Sequence, residues 1–585
     1  MATENLVTEQ FQLLGIDVEK EVLTKCVSLC EDFDVDAETF IEQWMAFSLN
    51  YLNSAPPTLE NLDAFTRKEF SKRASSRTNA AAKEASVSIT GSSLTVYGTP
   101  ISIQSDNNVL SNYMTATPKR VKLETEAIST PQNELHPATY SPTTGRSLKY
   151  SSRPNPGSVV HSYGEEKQLE LFSRTNDLND LSNLNIVQIS NDVGDLYTKA
   201  MFGFEMLQEK ASIFDSHITY LSKCIMKKAD ITESTSTRHK TQIVVTVAGR
   251  IECDADARLN PKSVVLQGTW EESLSQAVPV DIDNVKQYSL FPGQVVVMRG
   301  INPRGDQFIA HEILSDASKP VPDPKADMMN TLEGTLSMVM AAGPYTTSDN
   351  MTYEPLKDFI TYIGTHRPHV VIMTGPFMDV EHSKIKDNSM AETYKSYFEK
   401  LIDNLAELNT TSPYTKIYIV SSLKDVFHVN IYPTPPYSTR RKYHNIHFLP
   451  DPCTLNINGV VVGLTSTDVL MNISQEEISF GPVGDKLSRL CAHVVQQQCW
   501  APLWPPPAAQ PCDAALWAAH AHLPCTPHLM LLPSNFRYFV KEVYGCVMVN
   551  PEHLTKGLGG GTFARVLIAG GSRPSEFISA QIIRI

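Results

Sequence analysis

The residues whose types and spacing could do chemistry stand at three turns. They are Gly343-Pro344-Tyr345, Gly375-Pro376 within His369-Val-Val-Ile-Met-Thr-Gly-Pro-Phe-Met-Asp379, and Ser421-Ser422-Leu423. Each follows a short apolar run, which suits a strand buried on both faces of a parallel or mixed sheet. In such sheets, sites lie just past the carboxyl ends of the strands. The chemistry expected there is two-metal phosphoester hydrolysis. It needs Asp-x-His, Gly-Asp, Gly-Asn-His and later histidines, because two ions about 4 Å apart require a bridging carboxylate and several imidazoles. The first turn offers Gly343, Pro344 and Tyr345 instead. Pro376 follows Gly375 where the bridging Asp would stand, and Ser421 and Ser422 replace Gly-Asn. Asp379, Asp425, Asp468 and His428 remain, off the required spacing, and read as solvated or loop-capping side chains. The expectation is therefore no catalytic residue, no metal ligand and no cofactor. An active metal-dependent phosphoesterase with rearranged ligands is the alternative.

Other candidate chemistries are weaker. Cys499, Cys512, His520, His522 and Cys525 fall in a Pro-, Ala- and Trp-rich tract, residues 496–525, but their spacing matches no common zinc pattern. Gly557-Leu-Gly-Gly-Gly-Thr562 lacks the Lys-Ser/Thr of a phosphate loop and reads as a tight turn between strands. Thr117-Pro118-Lys119-Arg120-Val121-Lys122-Leu123-Glu124 is different. Lys119, Arg120 and Lys122 on an exposed segment suit the acidic groove of a nuclear import receptor. Thr117-Pro118 with Arg120 fits proline-directed kinases, with Thr130-Pro131 and Ser141-Pro142 as lesser versions. A phosphate on Thr117 would set negative charge beside those cations and weaken the cluster.

The elements that must position these residues fall into four stretches. Residues 1–72 show helical spacing in Val18, Val22, Cys26, Val27 and Cys30, in Phe40, Trp44, Phe47 and Tyr51, and in Leu59, Leu62 and Phe65. A bundle of four short helices is expected, the first around Leu6 to Leu14, with Pro56-Pro57-Thr58 stopping one helix and capping the next. Residues 73–165 hold no Phe, Trp or Cys and read as a disordered linker. Residues 166–324 begin with a helix from Tyr197 to Met226 and continue as strands at 242–251, 263–268, 294–301 and 307–314. Glycines interrupt or close these strands, as a small OB-type barrel requires. Single-strand nucleic acid would need aromatics to stack bases and cations to follow the backbone. Trp270, Tyr288, Phe291 and Phe308 are present, but Arg250, Lys262 and Arg299 are sparse among acids, so a protein-docking barrel is preferred. Residues 325–585 alternate strands and helices, a layered α/β domain. Its strands are expected at 336–342, 369–374, 416–421, 459–464, 529–532, 562–569 and 577–585, with helices at 353–366, 391–408 and 535–544.

Composition sets the outer bounds. At 585 residues there is room for several cores. A net charge of −14 disfavours bulk electrostatic binding to nucleic acid. From Lys72 to Arg153, ten Lys/Arg face five Asp/Glu, so a basic segment joins parts more acidic than the average. Ten cysteines without a Cys-x-x-Cys pair suit a reducing compartment. No apolar run reaches a membrane span, and Met1-Ala-Thr-Glu-Asn-Leu6 lacks the features of a signal peptide.

Several long motifs run in a recognisable order. They are Tyr288-Ser-Leu-Phe-Pro-Gly-Gln-Val295, residues 343–356 from Gly343 to Leu356, Gly375-Pro-Phe-Met-Asp379, and Ser422-Leu-Lys-Asp-Val426. Gly463-Leu-Thr-Ser-Thr-Asp468, Arg537-Tyr-Phe-Val-Lys541, Leu554-Thr-Lys-Gly557 and Gly560-Gly-Thr-Phe-Ala-Arg565 follow. From the barrel to the C-terminus the chain resembles the B subunits of DNA polymerase alpha–primase; the tract 496–525 departs from the pattern. The resemblance implies a non-catalytic accessory subunit in the nucleus. In that family a helical N-terminal domain, tethered to an OB barrel, recruits replication factors. The barrel packs on a calcineurin-like phosphoesterase domain that has lost its metals. Together they hold the zinc-containing C-terminal region of the catalytic polymerase subunit and, through the complex, the small and large primase subunits, for primer synthesis at initiation of DNA replication. DNA contact is mostly indirect and there is no membrane partner. The B subunit of another replicative polymerase is the remaining alternative.

Overall fold

The computed structural model describes residues 7–8, 11, 18, 20–33, 37–51, 57–66, 147–165, 169, 172, 184–189, 202–323, 335–481, 484–569 and 573–585. The chain divides into two units, Thr58–Pro137 and the remainder. In the smaller unit the described part is the helix Leu59–Phe65, where the Thr58 hydroxyl accepts from the Asn61 N–H at 3.3 Å. In the larger unit, helices Lys20–Phe33 and Ala37–Tyr51 bury Val22, Cys26, Leu29 and Cys30, and Phe40, Ile41, Trp44 and Phe47. Of the expected first helix, Val7, Thr8 and Phe11 are described; the rest lies outside the described residues.

The linker expectation needs correction at its end. The Ser147 hydroxyl caps a short helix, Leu148–Ser151, and strand β1 (Val159–Tyr163) follows. The Tyr150 hydroxyl donates to Asp358 at 2.9 Å, and Arg153 donates to the Ile585 carbonyl at 2.8 Å and to Asp358 at 2.5 Å. One buried tyrosine and one shared carboxylate anchor a segment that lacks Phe and Trp, so composition alone hid it. Strand β2 (Ile186–Ile189) is a second early piece. The lead-in helix runs Leu207–Lys228, where Glu209 accepts from the Met206 N–H at 2.9 Å and fixes the start; of the expected segment, residues 197–201 lie outside the described residues.

The barrel is closed by β3 (Thr241–Cys253), β4 (Val264–Gln267), β5 (Ala277–Asp281), β7 (Val295–Asn302) and β8 (Phe308–Leu314), in the order β3-β4-β5-β8-β7. The strand β5 was not expected, since Pro279 interrupts its run; that proline is exposed and stands opposite Val265 of β4. Strand β6 (Tyr288–Leu290) stands outside the barrel.

Two sheets follow. The parallel core β9 (Leu336–Ala342), β10 (Val370–Thr374), β11 (Lys416–Val420) and β12 (Ile446–Leu449) belongs to the first. The second contains β13 (Cys453–Ile457), β14 (Val460–Leu464), β16 (Leu529–Leu531), β17 (Phe539–Val543) and β18 (Cys546–Asn550), and β15 (Ile478–Phe480) pairs with β6. After a short hairpin, β19 (Thr555–Lys556) and β20 (Gly559–Gly560), strands β21 (Thr562–Ile568) and β22 (Ile578–Arg584) return to the first sheet. The orders are β1-β22-β21-β9-β10-β11-β12 and β17-β18-β16-β14-β13-β2.

Alternation along β9 explains its unbroken apolar run. Met338 and Met340 face the core between the sheets, with Val462, Leu529 and Val547, whereas Val339 and Ala341 face helices through Phe359 and Phe398. Those helices, Glu354–His366 and Tyr394–Ala406, lie where periodicity placed them. The helix expected at 535–544 is instead β17. Phe539, Val540 and Val543 are strand formers, and Tyr544-Gly545, both at positive φ, turn the chain back into β18.

Candidate functional site: a filled cleft and a domain joint

The three turns do converge past the carboxyl ends of β9, β10 and β11, and the space between them is filled. The Gly343 N–H donates to the Thr374 carbonyl at 2.9 Å and the Gly375 N–H to the Val420 carbonyl at 3.0 Å, so the turns rest on one another. The Gly343-Pro344 and Gly375-Pro376 bonds are both cis. Tyr345 is fully buried, its hydroxyl against the carbonyls of Ala341 (3.0 Å) and Thr374 (2.9 Å), its ring stacked on Phe377 at 4.6 Å. A Cβ on Gly375 would stand 2.6 Å from both Ser422 Cβ and Tyr437 Oη. Side chains and backbone occupy the volume two ions would need.

Each remaining polar residue has a structural task. Asp425 accepts from the N–H groups of Phe377 (2.8 Å) and Met378 (2.5 Å) and from the Tyr437 hydroxyl, which itself accepts from the Ser422 N–H at 2.9 Å. Burial pushes its carboxyl up to about 7, against the pull of those donors. Asp379 accepts from the Glu381 N–H at 2.9 Å, an Asx turn. Asp468 caps the helix Val469–Glu476 by accepting from Met471 N–H at 3.0 Å, and also accepts from Asn535 N–H at 2.8 Å. His428 Nε2 lies 2.7 Å from the Pro435 carbonyl, and Ser421 Oγ donates to the Thr434 carbonyl at 3.2 Å. Among the described residues, no three His, Cys, Asp or Glu side chains come together in a way that could hold a metal ion.

The tract 496–525 is packed rather than loose. Trp504 and Trp517 clasp Phe214 of the lead-in helix at 4.4 and 5.6 Å, and His217 stacks on His522 at 5.0 Å. Burial pushes the Cys499 thiol up to about 12 and holds His522 down to about 4, so both serve as neutral packing groups. Cys512, His520 and Cys525 are partly exposed and do not gather with them into a ligand set.

The barrel residues considered for stacking are mostly spent. Phe291 and Phe308 are core, and Tyr288 stacks on Phe480 at 5.8 Å; only Trp270 is exposed. Arg250, Lys262 and Arg299 pair with Glu252, Asp283 and Glu312 at 2.5, 2.5 and 3.1 Å.

What sequence reasoning missed is the joint between barrel and layered domain. Strand β6 pairs antiparallel with β15, linking the two. Beneath it, Glu477 accepts from Arg489 at 2.7 and 2.9 Å and from the Ser289 hydroxyl, with His493 Nε2 at 2.9 Å. Burial alone would raise the Glu477 carboxyl; His493 and Arg489 outweigh it and hold it well below the usual range. The Gln497 side chain bonds Val295 N–H at 2.8 Å and the Val295 carbonyl at 3.1 Å. Arg489 and His493, four apart on one helical face, were the signal available. The candidate residues Thr117, Lys119, Arg120, Lys122, Thr130 and Ser141 lie outside the described residues.

A barrel joined in this way to a layered domain with a filled cleft meets three family models. Residues 211–316 match the model of the OB domain of the DNA polymerase alpha B subunit. Residues 338–541 match that of the DNA polymerase alpha/epsilon B subunit, and residues 4–72 that of the DNA polymerase alpha B subunit N-terminal region. The class is thus that of B-type polymerase subunits. The mouse (Mus musculus) DNA polymerase alpha B subunit is 33% identical with the whole of both chains covered. The Drosophila melanogaster protein of that name is 29% identical over 97% of this chain and 96% of its own. The Saccharomyces cerevisiae one is 25% identical over 62% and 59%. The chain belongs to the family of DNA polymerase alpha B subunits.

Proposed function

We propose that this chain is a non-catalytic accessory subunit of DNA polymerase alpha–primase. It holds the zinc-containing C-terminal region of the catalytic polymerase subunit and, through the complex, both primase subunits while primers are made. The observation that carries this is the filled cleft. Tyr345, Phe377 and Tyr437 take the space that hydrolysis would need, and Asp425 spends Oδ1 on two backbone N–H donors and Oδ2 on the Tyr437 hydroxyl. A calcineurin-like phosphoesterase domain that has lost its ligands and kept its sheets is the reading these contacts support best. The joint through β6, β15 and Glu477 favours one rigid platform, suited to gripping another protein.

Residues 1–72 recruit further replication factors, and the linker carries the nuclear import cluster Lys119, Arg120 and Lys122, tuned by phosphate on Thr117, Thr130 or Ser141. The chain acts in the nucleus and meets DNA mainly through its partners. Among the described residues no helix is long and apolar enough to cross a membrane. The test is a phosphodiesterase assay of the purified chain in manganese, with bound metal measured alongside. The expected result is no turnover and no stoichiometric metal. Turnover that disappears in Asp425→Asn or Asp379→Asn would restore the hydrolase.

A further inference from the structure

One corner of the barrel gathers exposed positive charge in a molecule of net charge −14. Thr241 faces Asn302 across the β3–β7 ladder, and Asn302 Nδ2 donates to the Thr237 carbonyl at 3.1 Å. This sets Arg238, His239 and Lys240 beside Arg304 in the β7–β8 turn, and all four are exposed. Gly305, at φ +87°, makes room for the Lys240 stem; a Cβ there would stand 2.8 Å from Lys240 Cγ. Among the described residues Arg238 donates only to the Ala277 carbonyl, at 3.0 and 3.3 Å, which leaves its charge in place. Among the described residues no carboxylate pairs with Arg238, Lys240 or Arg304. Asp306 lies in the same turn as Arg304, and Glu272 accepts from the Ser234 hydroxyl at 2.5 Å. Between Thr241 and Val245 the ladder shifts register, and there Ile243 and Val244 are 77% and 55% exposed.

We propose that this corner docks an extended partner segment in which Asp or Glu alternates with aliphatic residues. Clustered cations favour an acidic partner by charge complementarity. Two adjacent β-branched side chains offer it apolar contact on a strand. Single-stranded nucleic acid would want several stacking aromatics here; of the barrel's aromatics Phe291 and Phe308 are buried and Tyr288 is stacked on Phe480, which leaves Trp270 alone exposed among these four.

The test is fluorescence anisotropy on the full chain with a labelled peptide alternating Glu and Val. The same peptide with Lys for Glu, and labelled oligothymidine, serve as comparisons. The Glu–Val peptide binds and the Lys–Val peptide does not. Affinity falls about tenfold or more in Lys240→Glu/Arg304→Glu, and falls also in Ile243→Ser/Val244→Ser, with thermal unfolding unchanged. A photo-leucine in the bound peptide cross-links to residues 238–244 or 302–305. The proposal is overturned if the Glu–Val peptide does not bind, binds both variants as it binds the parent, or cross-links elsewhere. It is equally overturned if oligothymidine is what this corner binds.

Discussion

Asp425 lies beside the Gly375 turn, off the spacing of a metal ligand, and is turned inward against two backbone N–H groups and Tyr437. Its folded pKa of about 7 has a consequence for stability. An unfolded aspartate releases its proton near about 4. Between those values the folded chain binds the extra proton. The contribution is therefore complete below about pH 4 and is lost as pH rises through about 7, at up to about 1.4 kcal/mol per pH unit. Denaturation of the parent and of Asp425→Asn across this window should show stability falling more steeply with rising pH in the parent than in the variant. Equal slopes would mean that Asp425 is ionised when folded. Gly375→Ala should cost about 1–3 kcal/mol through overpacking, because its Cβ meets Ser422, Tyr437 and Asp425 within 2.8 Å; urea midpoints report it. The loss of ligands at Pro344, Pro376 and Ser421-Ser422 could be read from residue types alone. The plug could not. Tyr437 lies twelve residues beyond Asp425, and nothing in the spacing says that its ring comes back.

At the scale of elements, the buried group of Glu477, Arg489 and His493 sits beneath the β6–β15 ladder. Removing the acid leaves two cationic or titratable partners buried without it. Glu477→Ala should cost about 3–5 kcal/mol, and limited proteolysis should then cut first between barrel and layered domain. Unchanged protease resistance would mean that the joint does not depend on this carboxylate. Strands buried on both faces were legible because their runs are apolar throughout. Short or interrupted ones were not: Pro279 concealed β5, and a stretch of half-helical spacing disguised β17, whose strand character depends on its partner β18. The tract 496–525 looked foreign in composition, yet Trp504 and Trp517 pack on Phe214 of a helix that is distant in sequence.

At the scale of the whole molecule, the platform begins earlier than composition suggested. A chain starting at residue 147 keeps Tyr150, Arg153 and β1 on the sheet; one starting at residue 166 loses all three. The shorter chain should melt lower, and equal melting temperatures would mean that β1 adds nothing. The most direct test of the account is co-expression of residues 147–585 with the catalytic polymerase subunit, followed by size-exclusion chromatography. The expected result is a stable complex that survives the absence of residues 1–146. A platform fragment that folds normally and still elutes apart from the polymerase would contradict it.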